Sequence, residues 1–175
     1  VPAFKIASGD LTDIPLIKYT ASKKKPIILS TGLSNIDDVR LAVKTIHSCK
    51  NYKIAILHSV SSYPTPPNET NLRAIIQLQK KFPYTIGYSD NGAENLVPII
   101  AVAMGARIIE KHFTINKKFS GPDHLLSADP SELNNIIKNI RLAEVMFGDG
   151  VKQCQPSEYD NQIAARRSIT AKTRI

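Results

Sequence analysis

The chain has only two cysteines among 175 residues, no apolar run approaching the roughly 20 residues that span a bilayer, and no glycine-rich phosphate loop behind any predicted strand. Each absence closes a class of function. Cys49 and Cys154 lie far apart, match no metal-ligand spacing and are too few for a secreted disulfide framework, so a reducing cytoplasm is expected. The start, Val1-Pro2-Ala3-Phe4, lacks a signal-peptide pattern and an initiator methionine, and no membrane association is expected. Without Gly-x-Gly-x-x-Gly or Gly-x-x-x-x-Gly-Lys, a doubly wound nucleotide-binding sheet is disfavoured. Aromatics do not interleave with the basic residues as they do where bases stack, so no nucleic-acid partner is expected.

What is present is an ordinary globular composition, 42% hydrophobic and 22% charged, enough for one domain plus a tail. The formal charge of +8, from 23 Lys and Arg against 15 Asp and Glu, suits an anionic partner. The basic residues are dispersed, at Lys23 to Lys25, Lys80-Lys81 and Arg166-Arg167 among others. A phosphorylated or carboxylated small substrate explains local positive charge, and solvated helix ends explain most of the rest.

Short apolar runs at Phe4–Ala7, Pro26–Leu29, Ile54–Leu57, Thr85–Tyr88 and Ala106–Ile109 read as buried parallel strands. Helical patterns alternate with them at Ile14–Ala21, Ile36–His47, Thr70–Lys81, Asn95–Met104 and Glu132–Phe147. Asp129, Pro130 and Glu132 supply the N-cap, first position and capping-box partner of the last helix. Ser34 is the expected N-cap of the second, with Asp37 and Asp38 at the positive end of its dipole, and Gly105 the expected left-handed stop of the fourth. About five strand-helix units imply a parallel α/β sheet, and with the nucleotide loops missing a (β/α)8 barrel is favoured. Five units are too few to close one, so the expectation is the C-terminal part of a barrel over residues 1–150, followed by a tail over 151–175.

In such a barrel, function collects at the C-terminal ends of the strands. Those ends carry Lys5 to Asp10, Ser30-Thr31-Gly32, His58 to Tyr63, Ser89-Asp90-Asn91 and Glu110 to Thr114. In Ile108-Ile109-Glu110-Lys111-His112-Phe113, alternation sends Ile108, Glu110 and His112 to one face and Ile109, Lys111 and Phe113 to the other. A carboxylate and an imidazole on one inward face suit a metal or acid/base site, with Asp90, Asn91 and Asp123 nearby as further donors for a hard or borderline divalent ion. Lys5 with Ser8, Ser30 and Ser89 offers one point charge and several neutral donors, a cradle for phosphate; each serine alone could equally be a turn residue. His58, like His112, could instead donate to a backbone carbonyl. Beyond the last strand, Gly121-Pro122-Asp123-His124 could bend back over the site, and the proline-stiffened Tyr63-Pro64-Thr65-Pro66-Pro67 could present the Tyr63 hydroxyl to a polyhydroxylated ligand.

At these residues the chain resembles the N-acetylneuraminate (sialic acid) synthase family, including its pseudaminic, legionaminic and spore-coat polysaccharide relatives. The matching segments run in order: Phe4-Lys5-Ile6-Ala7-Ser8-Gly9-Asp10, Ile28-Leu29-Ser30-Thr31-Gly32, Ser61-Ser62-Tyr63-Pro64, Asn71-Leu72-Arg73-Ala74, Gly87-Tyr88-Ser89-Asp90, Glu110-Lys111-His112-Phe113-Thr114 and Gly121-Pro122-Asp123-His124. The resemblance implies a barrel that condenses phosphoenolpyruvate with an N-acylated amino sugar, such as N-acetylmannosamine, to a nine-carbon α-keto acid. By that analogy Lys5, Glu110 and Asp123 are catalytic. Lys5, Ser8, Ser30 and Ser89 hold phosphoenolpyruvate, while Ser61, Tyr63 and Asp123 face the sugar. His112 ligates a divalent metal, manganese in this family.

Two departures bear on that analogy. Asn91 stands where the family has a second metal-ligating His, and an amide oxygen is a weaker donor for manganese. Ser61 stands where sialic acid synthases often carry Asn. The resemblance further implies a homodimeric parent and a small antifreeze-like domain, whose entry Gln162 to Ile175 resembles; the fragment alone is expected to be inactive. Two alternatives stay open: another phosphoenolpyruvate-dependent keto-acid synthase, and a degenerate, non-catalytic sugar- and phosphate-binding barrel.

Overall fold

Five strands pair in chain order, every neighbour parallel: β1 (Phe4–Ile6), β2 (Ile27–Ser30), β3 (Ile54–Ser59), β4 (Thr85–Asp90) and β5 (Ile109–Lys111). Helices α1 (Ile14–Ser22), α2 (Ile36–Ser48), α3 (Arg73–Lys81) and α4 (Val97–Ala103) form the crossovers, and α5 (Pro130–Met146) follows β5 and packs on α4. The computed structural model describes residues 1–174, so residue 175, the end of the expected tail, lies outside the described residues.

The sheet is curled. Laid flat, its first and last strands would stand about 19 Å apart, four spacings of about 4.8 Å. Yet Lys5 on β1 and Glu110 on β5 form an ion pair with Nζ 3.3 Å from Oε1. The side chains together are too short to bridge the flat distance, so the strands wrap around a shared interior as a half-barrel. The described residues supply five of the eight strands a closed barrel needs.

Register sorts the strand residues onto two faces. Ile6, Ile27, Leu29, Ile54, Ile56, Ile86 and Tyr88 point outward into the core shared with Ile17, Ala21, Val39, Ile46, Ile75 and Ala101 of the helices. Lys5, Ser30, Leu57, Ser59, Gly87, Ser89 and Glu110 take the alternate positions and line the inner face. Gly87 makes that interior possible: a Cβ there would fall 2.4 Å from the Ile108 carbonyl oxygen and 2.6 Å from Leu57 Cδ2. Only hydrogen lets β5 approach β4 while Leu57 fills the bottom of the interior.

Local chemistry fixes the helix ends, with some differences from expectation. Asn35, not Ser34, caps α2: its Oδ1 accepts from the Asp37 and Asp38 amides while Asp38 reaches back to the Asn35 N–H. Ser34 instead donates to the Gly32 carbonyl. Asp129 and Glu132 form the reciprocal cap of α5, which starts at Pro130, two residues before the apolar pattern. The α3 helix starts at Arg73 rather than Thr70, after a 3-10 turn over Pro67–Glu69. β5 occupies Ile109–Lys111 rather than Ala106–Ile109, although bonds from Arg107 N to Ile86 O and from Tyr88 N to Ile108 O already dock the preceding residues. No residue from 151 to 174 is buried, although α6 (Tyr159–Ala165) forms within that stretch.

Candidate active site

The strand ends converge on one group. Glu110 Oε1 accepts a 2.6 Å hydrogen bond from Ser89 Oγ and lies 3.3 Å from Lys5 Nζ. Three of the expected site residues, from β1, β4 and β5, thus meet at one carboxylate. Lys5 and Glu110 are each about one-third to two-fifths exposed, so their attraction is screened by water and holds geometry more than it adds stability.

Around Gly32, just past the end of β2, lies a cluster of serines. The Gly32 N–H donates to Ser8 Oγ at 3.0 Å, which leaves the Ser8 proton free for another acceptor. Gly32 is where the walls close in: a Cβ there would lie 2.3 Å from Ser61 Oγ and 2.8 Å from Ser8 Oγ. The hydroxyls of Ser30 and Ser61 are buried with no hydrogen-bond partner among the described residues. Buried hydroxyls are normally satisfied, so these two, like the Tyr88 hydroxyl on the opposite face, have hydrogen-bonding capacity to spare, and the serines have it on the rim.

Farther along the rim, a cavity of about 240 Å³ is lined by Ser89, Asp90, Asn91, Glu110, Lys111 and His112. Asn91 Nδ2 donates to Val60 O at 2.8 Å and Ser59 Oγ at 3.3 Å, leaving Oδ1 without a protein partner among the described residues. The His112 ring meets Tyr63 edge-on, centroids 5.7 Å apart. Asn91 and His112 could therefore offer one oxygen and one nitrogen to a divalent ion. No group of three or more His, Cys, Asp or Glu side chains that could hold a metal occurs among the described residues, so such an ion would complete its shell with water or substrate. That donor set fits a weakly held, substrate-dependent metal.

Several expected participants sit elsewhere. Asp90, the last residue of β4, borders the rim cavity, but its side chain is fully buried and both carboxylate oxygens are taken, by Lys111 and by the Gly92 N–H, so it is not a free donor there. His58 is buried on the helix-facing side, with Nε2 2.9 Å from Thr70 O, and is structural. Burial holds its pKa below the ordinary 6.5, against the raising effect of its backbone partners. Tyr88 is also fully buried there, and desolvation first, then the Asp90 charge, pushes its pKa far up.

Asp123 is exposed on the loop after β5, and its carboxylate makes no hydrogen bond or ion pair among the described residues. That loop nonetheless folds back. Thr114 N donates to Ala128 O, Ala128 N donates to His112 O, and the His124 ring is held 2.8 Å from Thr114 Oγ1 and edge-on to Phe119. Tyr63 is about half exposed, with its hydroxyl free to reach a ligand.

Sequence reasoning missed two features. The Lys111–Asp90 pair joins residues 21 apart, and its only signal is that Lys111 shares the outward parity of Ile109. Gly32 as the point of closest approach could be read only from the Ser30-Thr31-Gly32 ending.

A model described as the NeuB family matches residues 1–152. The chain belongs to the NeuB family. An uncharacterized protein of Methanocaldococcus jannaschii is 51% identical over 175 residues, covering 100% of this chain and 52% of that protein. The N,N'-diacetyllegionaminic acid synthase of Legionella pneumophila is 42% identical, covering 97% of this chain and 49% of its own. Among solved structures, the N-acetylneuraminic acid synthetase of Leptospira borgpetersenii, in complex with citrate, superposes with a TM-score of 0.85 at 35% identity, over 96% of this chain and 60% of that one. The chain spans about half the length of the curated relatives it matches. NeuB-family relatives of this kind are synthases of sialic-acid-type sugars, and among the described residues of this chain no helix is long and apolar enough to cross a membrane.

Proposed function

We propose that the chain carries the C-terminal part of the barrel of a synthase that condenses phosphoenolpyruvate with an N-acylated amino sugar, releasing phosphate and forming a nine-carbon keto acid. The observation that carries this reading is the meeting of Lys5 and Ser89 at Glu110, on the same strand-end rim as the orphaned hydroxyls of Ser30 and Ser61. A phosphate placed among Lys5, Ser8, Ser30 and Ser89 would receive one cationic and several hydroxyl donors, and would satisfy the Ser30 group that nothing else satisfies. Glu110 keeps Lys5 and Ser89 in register before substrate arrives. Ser61 and the Tyr63 hydroxyl are placed for the sugar, and Asp123, on an exposed loop, is free to turn toward it.

A divalent ion bound by His112 and Asn91, manganese by analogy with the resembling family, would polarise the sugar aldehyde as a Lewis acid. The chain's own contribution at that end is orientation. Asn91 holds its amide nitrogen against β3, and Tyr63 limits rotation of His112 by edge contact. Residues 151–174 are read as a linker entering an antifreeze-like domain, and the parent as a cytoplasmic homodimer. The second reading, a barrel that binds sugar and phosphate without turnover, is favoured by one observation, the amide at position 91.

The test is calorimetric and then chemical. Titrated into the chain, phosphoenolpyruvate is expected to bind, and Lys5→Met and Ser30→Ala are expected to weaken it by about 10-fold or more, the worth of a charge-assisted hydrogen bond. In the full-length parent, phosphate release should require both phosphoenolpyruvate and an amino sugar. Binding unaffected by either substitution would remove the phosphate cradle, and sugar-independent phosphate release would remove the condensation.

A further inference from the structure

One group in the rim region has no place in the reading above: the buried ion pair of Lys111 and Asp90. The two residues face each other across β4 and β5, with Nζ 2.7 Å from Oδ2 and side chains 5% and 0% exposed. The ammonium also donates to Gly92 O at 2.8 Å, and the second Asp90 oxygen accepts from Gly92 N at 2.9 Å. Asp90 and Lys111 therefore grip the main chain at Gly92, the residue after Asn91, by both its N–H and its carbonyl. Each gripping residue immediately precedes a candidate ligand, Asn91 after Asp90 and His112 after Lys111.

We infer that Lys111 and Asp90 are positioning residues that set where Asn91 and His112 present their free atoms. On the β5 side the strand ladder reaches Asp90, and beyond it, among the described residues, this pair is what holds the 90–92 turn; Asn91 is otherwise anchored toward β3, through Val60 O, Ser59 Oγ and the bond its carbonyl receives from Thr65 N. The turn is clamped from opposite directions, and the resultant fixes the Asn91 carboxamide with only Oδ1 left over. Gly92 permits the clamp, since even a methyl group there would sit 3.1 Å from Asp90 Oδ1.

A pair retained only for stability could be exchanged for two apolar residues at little cost. Leucine and methionine could fill the volume, but they could not hold the Gly92 carbonyl and amide. The stability role and the positioning role thus give different outcomes for the same double substitution.

The test compares wild type with Lys111→Met, Lys111→Arg and the double variant Asp90→Leu/Lys111→Met in two measurements on the full chain. The first needs no metal. In nitrogen–proton correlation spectra, the Asn91 side-chain amide and the His112 ring signals are expected to shift in Lys111→Met and in the double variant, with most other peaks unmoved. Lys111→Arg, which can still donate to both acceptors, is expected to stay near wild type. The second measurement is manganese binding followed by electron paramagnetic resonance, expected to weaken about 10- to 100-fold in the double variant, the usual effect of losing a partner behind a metal ligand.

Unmoved Asn91 and His112 signals in a folded double variant would overturn the inference, whatever the metal does. This arm rests on geometry alone, whereas the manganese arm rests on the metal reading above. If wild type itself fails to bind manganese, that reading falls and the spectra still decide the positioning role. If Lys111→Met does not fold, the double variant, and the contrast with Lys111→Arg, carry the comparison.

Discussion

Replacing Gly32 with alanine tests the packed serine cluster most directly. The backbone at Gly32 is not in the left-handed region, so alanine can adopt its conformation and the whole effect falls on contacts. The new methyl would arrive 2.3 Å from Ser61 Oγ and 2.8 Å from Ser8 Oγ, distances no real Cβ tolerates. Both serines must rotate, or the β2 end must retreat. Overpacking of this kind costs about 1–3 kcal/mol, partly offset by the roughly 0.4–1 kcal/mol gained when alanine narrows the unfolded ensemble.

The hydroxyls can swing aside but Ser8 Cβ, 3.1 Å away, cannot, so part of the steric term survives, leaving a net loss of up to about 2.5 kcal/mol and, at about 2–4 °C per kcal/mol for a chain of this size, a Tm lower by up to about 10 °C. Rotation of Ser8 also breaks its bond from the Gly32 amide. Thermal unfolding by circular dichroism and calorimetric titration with phosphoenolpyruvate should therefore change together. A Gly32→Ala chain with wild-type Tm and undiminished affinity would refute the claim that Gly32 is where the site walls close.

Two further outcomes follow from the barrel wall. Gly87→Ala puts its methyl 2.4 Å from a backbone oxygen, which no rotamer change relieves, so β4 and β5 must part; a loss of about 3 kcal/mol or more is expected in denaturant unfolding, larger than for Gly32→Ala. His58, with its pKa depressed by burial, binds fewer protons folded than unfolded. Its contribution is fully present above the ordinary 6.5, erodes as pH falls below that value and levels off below the folded pKa. His58→Gln should flatten this acid limb in unfolding curves taken between pH 7 and pH 5, and an unchanged limb would assign it to another group.

Much of the fold was legible because parallel strands buried on both faces leave continuous apolar runs, as in Ile54-Ala55-Ile56-Leu57 and Ile27-Ile28-Leu29. The polar endings Ser30, Ser89 and Glu110 then marked one rim, and strand parity separated Glu110 from Lys111. Boundaries slipped where two residues competed for one role. Ser34 and Asn35 could both cap α2, and the carboxamide of Asn35 reaches two amides while Ser34 turns to Gly32. Partners across strands were not legible, because they depend on curl. Nothing local to Lys5 reveals that its ammonium meets a carboxylate 105 positions away. Nor does the sequence tell that Asp90, which looks like a rim donor, is taken up by Lys111 and Gly92.

Because the strands are paired strictly in chain order, β1 and β5 stand at the two ends of the arc among the described residues. The outer margin of an end strand is a template for any extended segment, including another molecule of the same kind. Here both end strands are only three residues long. Brevity is an ordinary safeguard against runaway stacking, so neither end of the arc offers a long template for fibre growth.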